Sequence, residues 1–242
     1  MTDPRRLAEL TTAEVRALVA NPPTAVLVPV GSVEPHGPHL PLGTDTLLSD
    51  TAAMRACDAL GAKGIRAVVA PGVAYGVTDF AEGFAGAVSV PAPVLTAMLR
   101  AIAASLLADG WSRVCFVNNH LEPAHDAAVR AAVEGLAGAS VASPLRRRWA
   151  STLGEEFLSG ACHAGRYETS LVLAAGGRVS DEHRTLPALG ISLLEAIRAG
   201  QSRFRDIGMD RAYTGAPAEA SRAEGDELYE KLVAMIVGEI AP

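Results

Sequence analysis

Three short runs of the chain are nearly all apolar: residues 25–30 (AVLVPV), 66–70 (RAVVA) and 114–117 (VCFV). Such runs lack the alternation of polar and apolar residues that a half-exposed strand shows, so they read as strands buried on both faces. A sheet made of them needs helices on either side. Pro29 inside the first run suits an edge or a bulge. Helical segments lie between the runs. Thr11 with Glu14 forms a capping box that opens a helix through about Ala20. Helical patterns follow at 47–60, 93–109, 123–136, 168–175 and 189–199, with a long amphipathic tail over 217–240. Residues 140–142 read as a further short strand. Strands alternating with helices predict an α/β layered fold around a mostly parallel sheet. With no repeat or linker in view, residues 1–242 read as one domain.

Composition narrows the function. Of 242 residues, 49% are hydrophobic, and the formal charge is −6. Lys63 and Lys231 are the only lysines, and the one basic run is Arg146, Arg147 and Arg148. This is not the clustered positive charge of a nucleic-acid-binding surface. No stretch approaches the ~18–20 uninterrupted apolar residues of a membrane helix. The first ten residues lack a signal-type apolar segment. The expectation is a cytoplasmic protein without membrane or nucleic-acid partners. Cys57, Cys115 and Cys162 lack disulfide-framework spacing. Cys115 reads as an inert core thiol, whereas Cys162 beside His163 leaves a reactive thiol open.

Five of the six histidines fall in three short segments. In the first, Glu34 and His36 flank a proline that favours extended backbone, which projects residues i and i+2 to one side. Asp45 ends the same loop. The second segment, His120-Leu121-Glu122, repeats the i, i+2 pairing at a strand end. In the third, His163 precedes a helix whose first turn holds Glu168. Asp45 also suits a helix cap and Glu168 a first-turn carboxylate, and a lone strand-end histidine is commonly structural. Their joint occurrence at strand-end loops favours a metal site. Histidine and carboxylate ligands without cysteine suit Zn²⁺ or Mn²⁺. Glu34, His36, Asp45, His120, Glu122 and Glu168 are enough to serve two ions with a bridging carboxylate, as in hydrolases that activate a shared water. His39 reads as an orienting residue, His125 as a surface or packing residue, and His183 as solvated loop. The arginine run reads as a solvated face, with Trp149 after it as a candidate for a pocket mouth.

The motifs resemble those of the creatininase family of metal-dependent amidohydrolases. The resemblance is carried by residues 31–45 (GSVEPHGPHLPLGTD), Tyr75-Gly76 with Phe84-Ala85-Gly86, Asn118-Asn119-His120, residues 163–170 (HAGRYETS) and the pattern from Gly215 to Gly225. It implies a three-layer α/β/α domain, commonly a hexamer, with two divalent ions, Zn or Mn. By that resemblance Glu34, Asp45 and His120 hold one ion, while His36, Asp45 and Glu168 hold the other. Glu122 then manages water and proton, and His163 carries a proton to the leaving nitrogen. Thr78, Leu121 and Asn119 are the substrate-binding candidates. Aromatics that close the creatinine pocket are replaced by Leu121 and by residues 158–161, so creatinine is not the expected substrate.

The sequence therefore predicts a two-metal hydrolase of a carbon–nitrogen amide bond in a small molecule, such as a cyclic amide or a formamide. Two alternatives stand beside it. One is a metal-dependent peptidase that trims a peptide during redox-cofactor maturation. The other is a metal-binding scaffold without turnover. A thiol enzyme using Cys162 and His163 ranks last.

Overall fold

A computed structural model describes residues 3–241; residues 1, 2 and 242, the ends of the expected domain, lie outside the described residues. Four strands, β1 (Thr24–Val30), β2 (Arg66–Val69), β3 (Arg113–Asn118) and β4 (Ala139–Ala142), form a parallel sheet in the order β2-β1-β3-β4. Every residue of β1 is buried. Its side chains divide by parity. Ala25 and Leu27 join one core, while Val26, Val28 and Val30 join the other. The expected three-layer α/β/α arrangement follows.

On the first face lie α2 (Thr44–Gly61), α7 (Arg166–Ala175) and α9 (Arg222–Ile240). Helix α9 contributes Leu228, Tyr229, Leu232, Met235, Ile236 and Ile240, a stripe at helical spacing. On the second face lie α3 (Ala92–Ala108), α4 (Pro123–Val133) and, more peripherally, α1 (Thr12–Val19). The capping box at Thr11 and Glu14 is present in both directions.

Pro29 sits in a strand paired on both sides, not at an edge. Its carbonyl accepts from the N–H of Val73 on the β2 side, so the missing N–H also falls on that side. There β2 has already ended, at Val69, opposite Leu27. The central strand thus loses no ladder bond to proline. The helix expected over 189–199 is restricted to α8 (Leu193–Arg198), because Leu189 instead bridges Gly215 in an antiparallel contact. The expected tail is a short 3₁₀ turn, Pro217–Glu219, followed by α9, which starts after the Ser221 cap. Two short helices, α5 (Arg147–Ala150) and α6 (Glu155–Ser159), fall outside the sequence reading.

The arginine run is not simply a solvated face. Arg146 and Arg148 pair with Glu239 of α9, and the Trp149 indole N–H donates to the same carboxylate. Trp149 therefore packs on the end of α9, far from the role of a pocket mouth. Among the described residues, no helix is long and apolar enough to cross a membrane.

The sheet order places the functional loops. From β1 the chain runs outward to β2, then returns to the opposite side of β1 as β3. The carboxyl ends of β1 and β3 are therefore the topological switch point, where the chain opens a crevice. Close packing of α7 on α9 closes the face beneath it. A Cβ at Gly225 would lie 1.9 Å from the Ser170 carbonyl oxygen and 2.7 Å from the Ala174 methyl. Gly225→Ala is expected to lower unfolding stability by about 2–3 kcal/mol, read by urea denaturation, while Gly61→Ala, with open space around it, should be within about 0.5 kcal/mol of the parent.

Candidate active site

The loop after β1 delivers Glu34 and His36, the first turn of α2 delivers Asp45, and the end of β3 delivers His120 and Glu122. The segment before α7 brings His163, and the first turn of α7 brings Glu168. All seven are buried. The cap of α2 is Gly43, with no side-chain bond, so Asp45 does not cap its helix. It accepts the Ser32 N–H at 3.2 Å and divides its carboxylate, with Oδ1 3.1 Å from His36 Nε2 and Oδ2 3.1 Å from His120 Nδ1. Glu34 Oε1 is 3.3 Å from His120 Nδ1, 3.7 Å from His36 Nε2 and 3.8 Å from His163 Nδ1. Glu168 Oε2 is 3.6 Å from His36 Nε2 and accepts the Ala164 N–H at 2.6 Å. Ala164 has φ +49°, a left-handed conformation an alanine rarely adopts, and there its N–H turns back onto Glu168.

Backbone carbonyls set the imidazoles. His36 Nδ1–H donates to the Glu34 carbonyl, His120 Nε2–H to that of Val77, and His163 Nε2–H to that of Pro35. Each ring thereby turns its other nitrogen toward the carboxylates, where it carries a proton or, once deprotonated, offers a lone pair. Ring nitrogens and carboxylates converge and, among the described residues, no lysine or arginine lines the pocket. Three groups have ligand atoms within metal-binding reach: Glu34, His36 and His163; Glu34, His120 and Glu122; and His36, Asp45 and Glu168. A divalent cation satisfies this donor set, and the residues present fit one.

Protonation follows the same electrostatics. Burial disfavours a charged His36, but Asp45 and Glu168 outweigh it and raise the ring to about 10. Burial likewise opposes the Asp45 carboxylate, yet His36 and His120 hold it well below the usual carboxylate range. Burial pushes Glu122 up to about 7. Burial and the neighbouring His36 pull His163 down to about 4.

Several residues have roles that spacing does not reveal. Val77 holds both of its neighbours by its main chain: its carbonyl fixes His120, and its N–H donates to His125 Nδ1 at 3.2 Å. His125 is fully buried, with its ring 4.6 Å from that of His120, which rules out the surface reading. His183, expected as solvated loop, is buried in a 3₁₀ turn and donates to the Ser180 carbonyl. His39 bonds Thr169 of α7 through Nε2 at 2.9 Å. Glu156 of α6 accepts the N–H groups of Tyr167 and Ala216, which ties the start of α7 in place.

The substrate candidates separate. Leu121 lines the pocket. The Thr78 hydroxyl donates to Glu34, and the Asn119 amide donates to Ser49 Oγ. Glu122 lines the pocket while accepting the N–H groups of Asp79 and Phe80. Two aromatic residues from distant segments, Phe80 and Phe204, complete the wall, and the Phe204 ring lies 4.6 Å from His163. The aromatic surface that the sequence reading took as lost is thus supplied from elsewhere. Cys162 is buried among apolar residues, and burial together with Glu168 and Glu156 raises its thiol well above the usual range, the reverse of a reactive thiolate.

The model of the creatinine amidohydrolase (creatininase) family matches residues 8–240. A mycofactocin precursor peptide peptidase of Mycolicibacterium smegmatis is 36% identical over 86% of this chain and 81% of its own. A protein of the same description from Mycobacterium ulcerans is 30% identical over 97% and 91%. Among solved structures, a creatininase variant of Zn–Zn type superposes with a TM-score of 0.74 at 22% identity over 100% of both chains. A structure described as the Mn creatininase gives 0.73 at 22% identity over 98% and 99%.

Gly76 tests the Val77 clamp. A Cβ there would lie 2.4 Å from His125 Nδ1. Gly76→Ala is expected to weaken Zn²⁺ or Mn²⁺ retention by about 10-fold or more, the range for loss of a ligand-orienting partner, as measured by metal content after graded dialysis.

Proposed function

The chain belongs to the creatininase family, and from that premise we propose that it is a two-metal amidohydrolase that cleaves an amide bond in a precursor peptide. The geometry that carries the metal reading is the divided carboxylate of Asp45, with one oxygen toward His36 and the other toward His120. Glu34, His120 and Asp45 hold one ion in this proposal, and His36, Glu168 and Asp45 hold the second. The peptide reading rests on the relative that is 36% identical over most of both chains and is described as a precursor peptide peptidase. It takes up the alternative raised by the sequence in preference to a cyclic amide or a formamide.

Bound divalent ions supply Lewis-acid polarisation of the amide carbonyl and a water acidic enough to attack it near neutral pH. The chain's own residues provide the rest. Glu122 lines the pocket with a carboxyl that titrates near 7, suited to taking a proton from the attacking water. His163, anchored through Nε2–H to Pro35, presents Nδ1 for passing a proton to the leaving nitrogen. Phe204 covers the His163 ring and limits water there. Thr78 fixes Glu34 by donating to its second oxygen. Assembly as a homo-oligomer, a hexamer by family resemblance, and a cytoplasmic setting belong to the same proposal.

The deciding experiment screens the metal-loaded protein with short peptides, formamides and lactams. Peptide cleavage is expected, abolished by a chelator and restored by Zn²⁺ or Mn²⁺. Cleavage confined to lactams or formamides returns the small-molecule reading, and metal binding without any turnover returns the scaffold. Asp45→Ala is expected to lose bound metal and at least ~10³-fold in kcat/KM; an Asp45→Ala protein that keeps its full metal content overturns the two-ion assignment.

A further inference from the structure

The pocket has two unlike surfaces. Its floor is formed by Glu34, His120, Glu122, His163 and Glu168. Its wall is apolar: Phe80, Leu121, Leu193, Ile197 and Phe204. Four of these five are only half-buried, so their apolar faces remain open to the pocket, while Phe204 is buried and serves as a platform. The wall is built as a unit. Phe80 and Phe204 lie 5.9 Å apart, the Phe204 N–H donates to the Phe80 carbonyl, and a small separate core of Ala81, Met209 and Ala212 backs them. The Glu122 carboxylate fastens the Phe80 turn to the floor through the Asp79 and Phe80 N–H groups. Among the described residues, no lysine or arginine lines the pocket, so the wall itself offers no charged side chain.

We propose that Phe80, Leu193, Ile197 and Phe204 form a specificity subsite that takes a bulky apolar side chain, aromatic or branched, on the residue flanking the scissile amide. The subsite rests on the peptide reading above and narrows its substrate class. A wall of this kind, next to the proton-carrying His163, selects by buried apolar area, and a whole apolar side chain in such a pocket is worth about 10- to 100-fold in kcat/KM.

Two measurements test it on metal-loaded protein. The first compares kcat/KM for terminally blocked peptides that differ only at either flanking residue, Phe or Leu against Gly. The expected result is a preference of about 10- to 100-fold for Phe or Leu, reduced to below about 3-fold in both Phe204→Leu and Ile197→Ala, with metal content unchanged. The second is calorimetric titration with blocked Leu-Phe and Gly-Gly amides, which reads the subsite without turnover. Tighter binding of Leu-Phe amide, weakened by Ile197→Ala, is expected. Equal binding of the two amides, or a preference that both variants retain, overturns the subsite. Absence of all peptide cleavage alongside selective binding of Leu-Phe amide overturns the peptide reading and leaves the subsite standing.

Discussion

Asp45 places one carboxylate oxygen against each of two histidines that reach it from different strands. This contact joins the loop after β1 to the end of β3, the two strand ends at which the sheet's connections diverge. Three buried carboxylates and three buried imidazoles crowd around it, and removing that much charge from water is costly unless each group is answered. The answer comes from two directions. Backbone carbonyls take one N–H of each ring outward, and the other ring nitrogens face the carboxylates inside. The same donor set fits a divalent cation, and the packing beneath it holds these groups in place as well as burying apolar area.

A second layer of control is main-chain geometry. The peptide unit around Val77 serves two histidines at once, and Gly76 leaves room for the His125 ring to approach. Ala164, in a left-handed conformation, aims its N–H at Glu168. Glu156 secures the same region from the far side through the N–H groups of Tyr167 and Ala216. Val77, Ala164 and Glu156 do not themselves line the pocket, yet each helps to fix where a donor points.

Much of this was legible in the sequence, and the divide is physical. The buried strands announced themselves by unbroken apolar runs, and the first helix by its capping box. The i, i+2 pairs Glu34/His36 and His120/Glu122 were readable because extended backbone places such residues on one side. What stayed hidden depends on contacts between residues far apart in the chain. Phe204 meets His163 from about forty residues away, and His125 reads as an ordinary helical residue until the loop carrying Val77 is folded over it. Pro29 misled for the opposite reason. Proline excludes a ladder bond only on the side its nitrogen faces, and that side is a property of the neighbouring strand's length.

The floor and wall of the pocket come from different parts of the chain. Donors arise at the ends of β1 and β3 and at the starts of α2 and α7, whereas the wall arises chiefly from the turn at Phe80 and from the segment carrying Leu193, Ile197 and Phe204. The two meet chiefly where Glu122 accepts from Asp79 and Phe80 and where Phe204 rests on His163. Such a division allows wall residues to be changed while the donor set beneath them is left in place. It also concentrates the constraint on change at those two seams, because a substitution there alters admission and chemistry together.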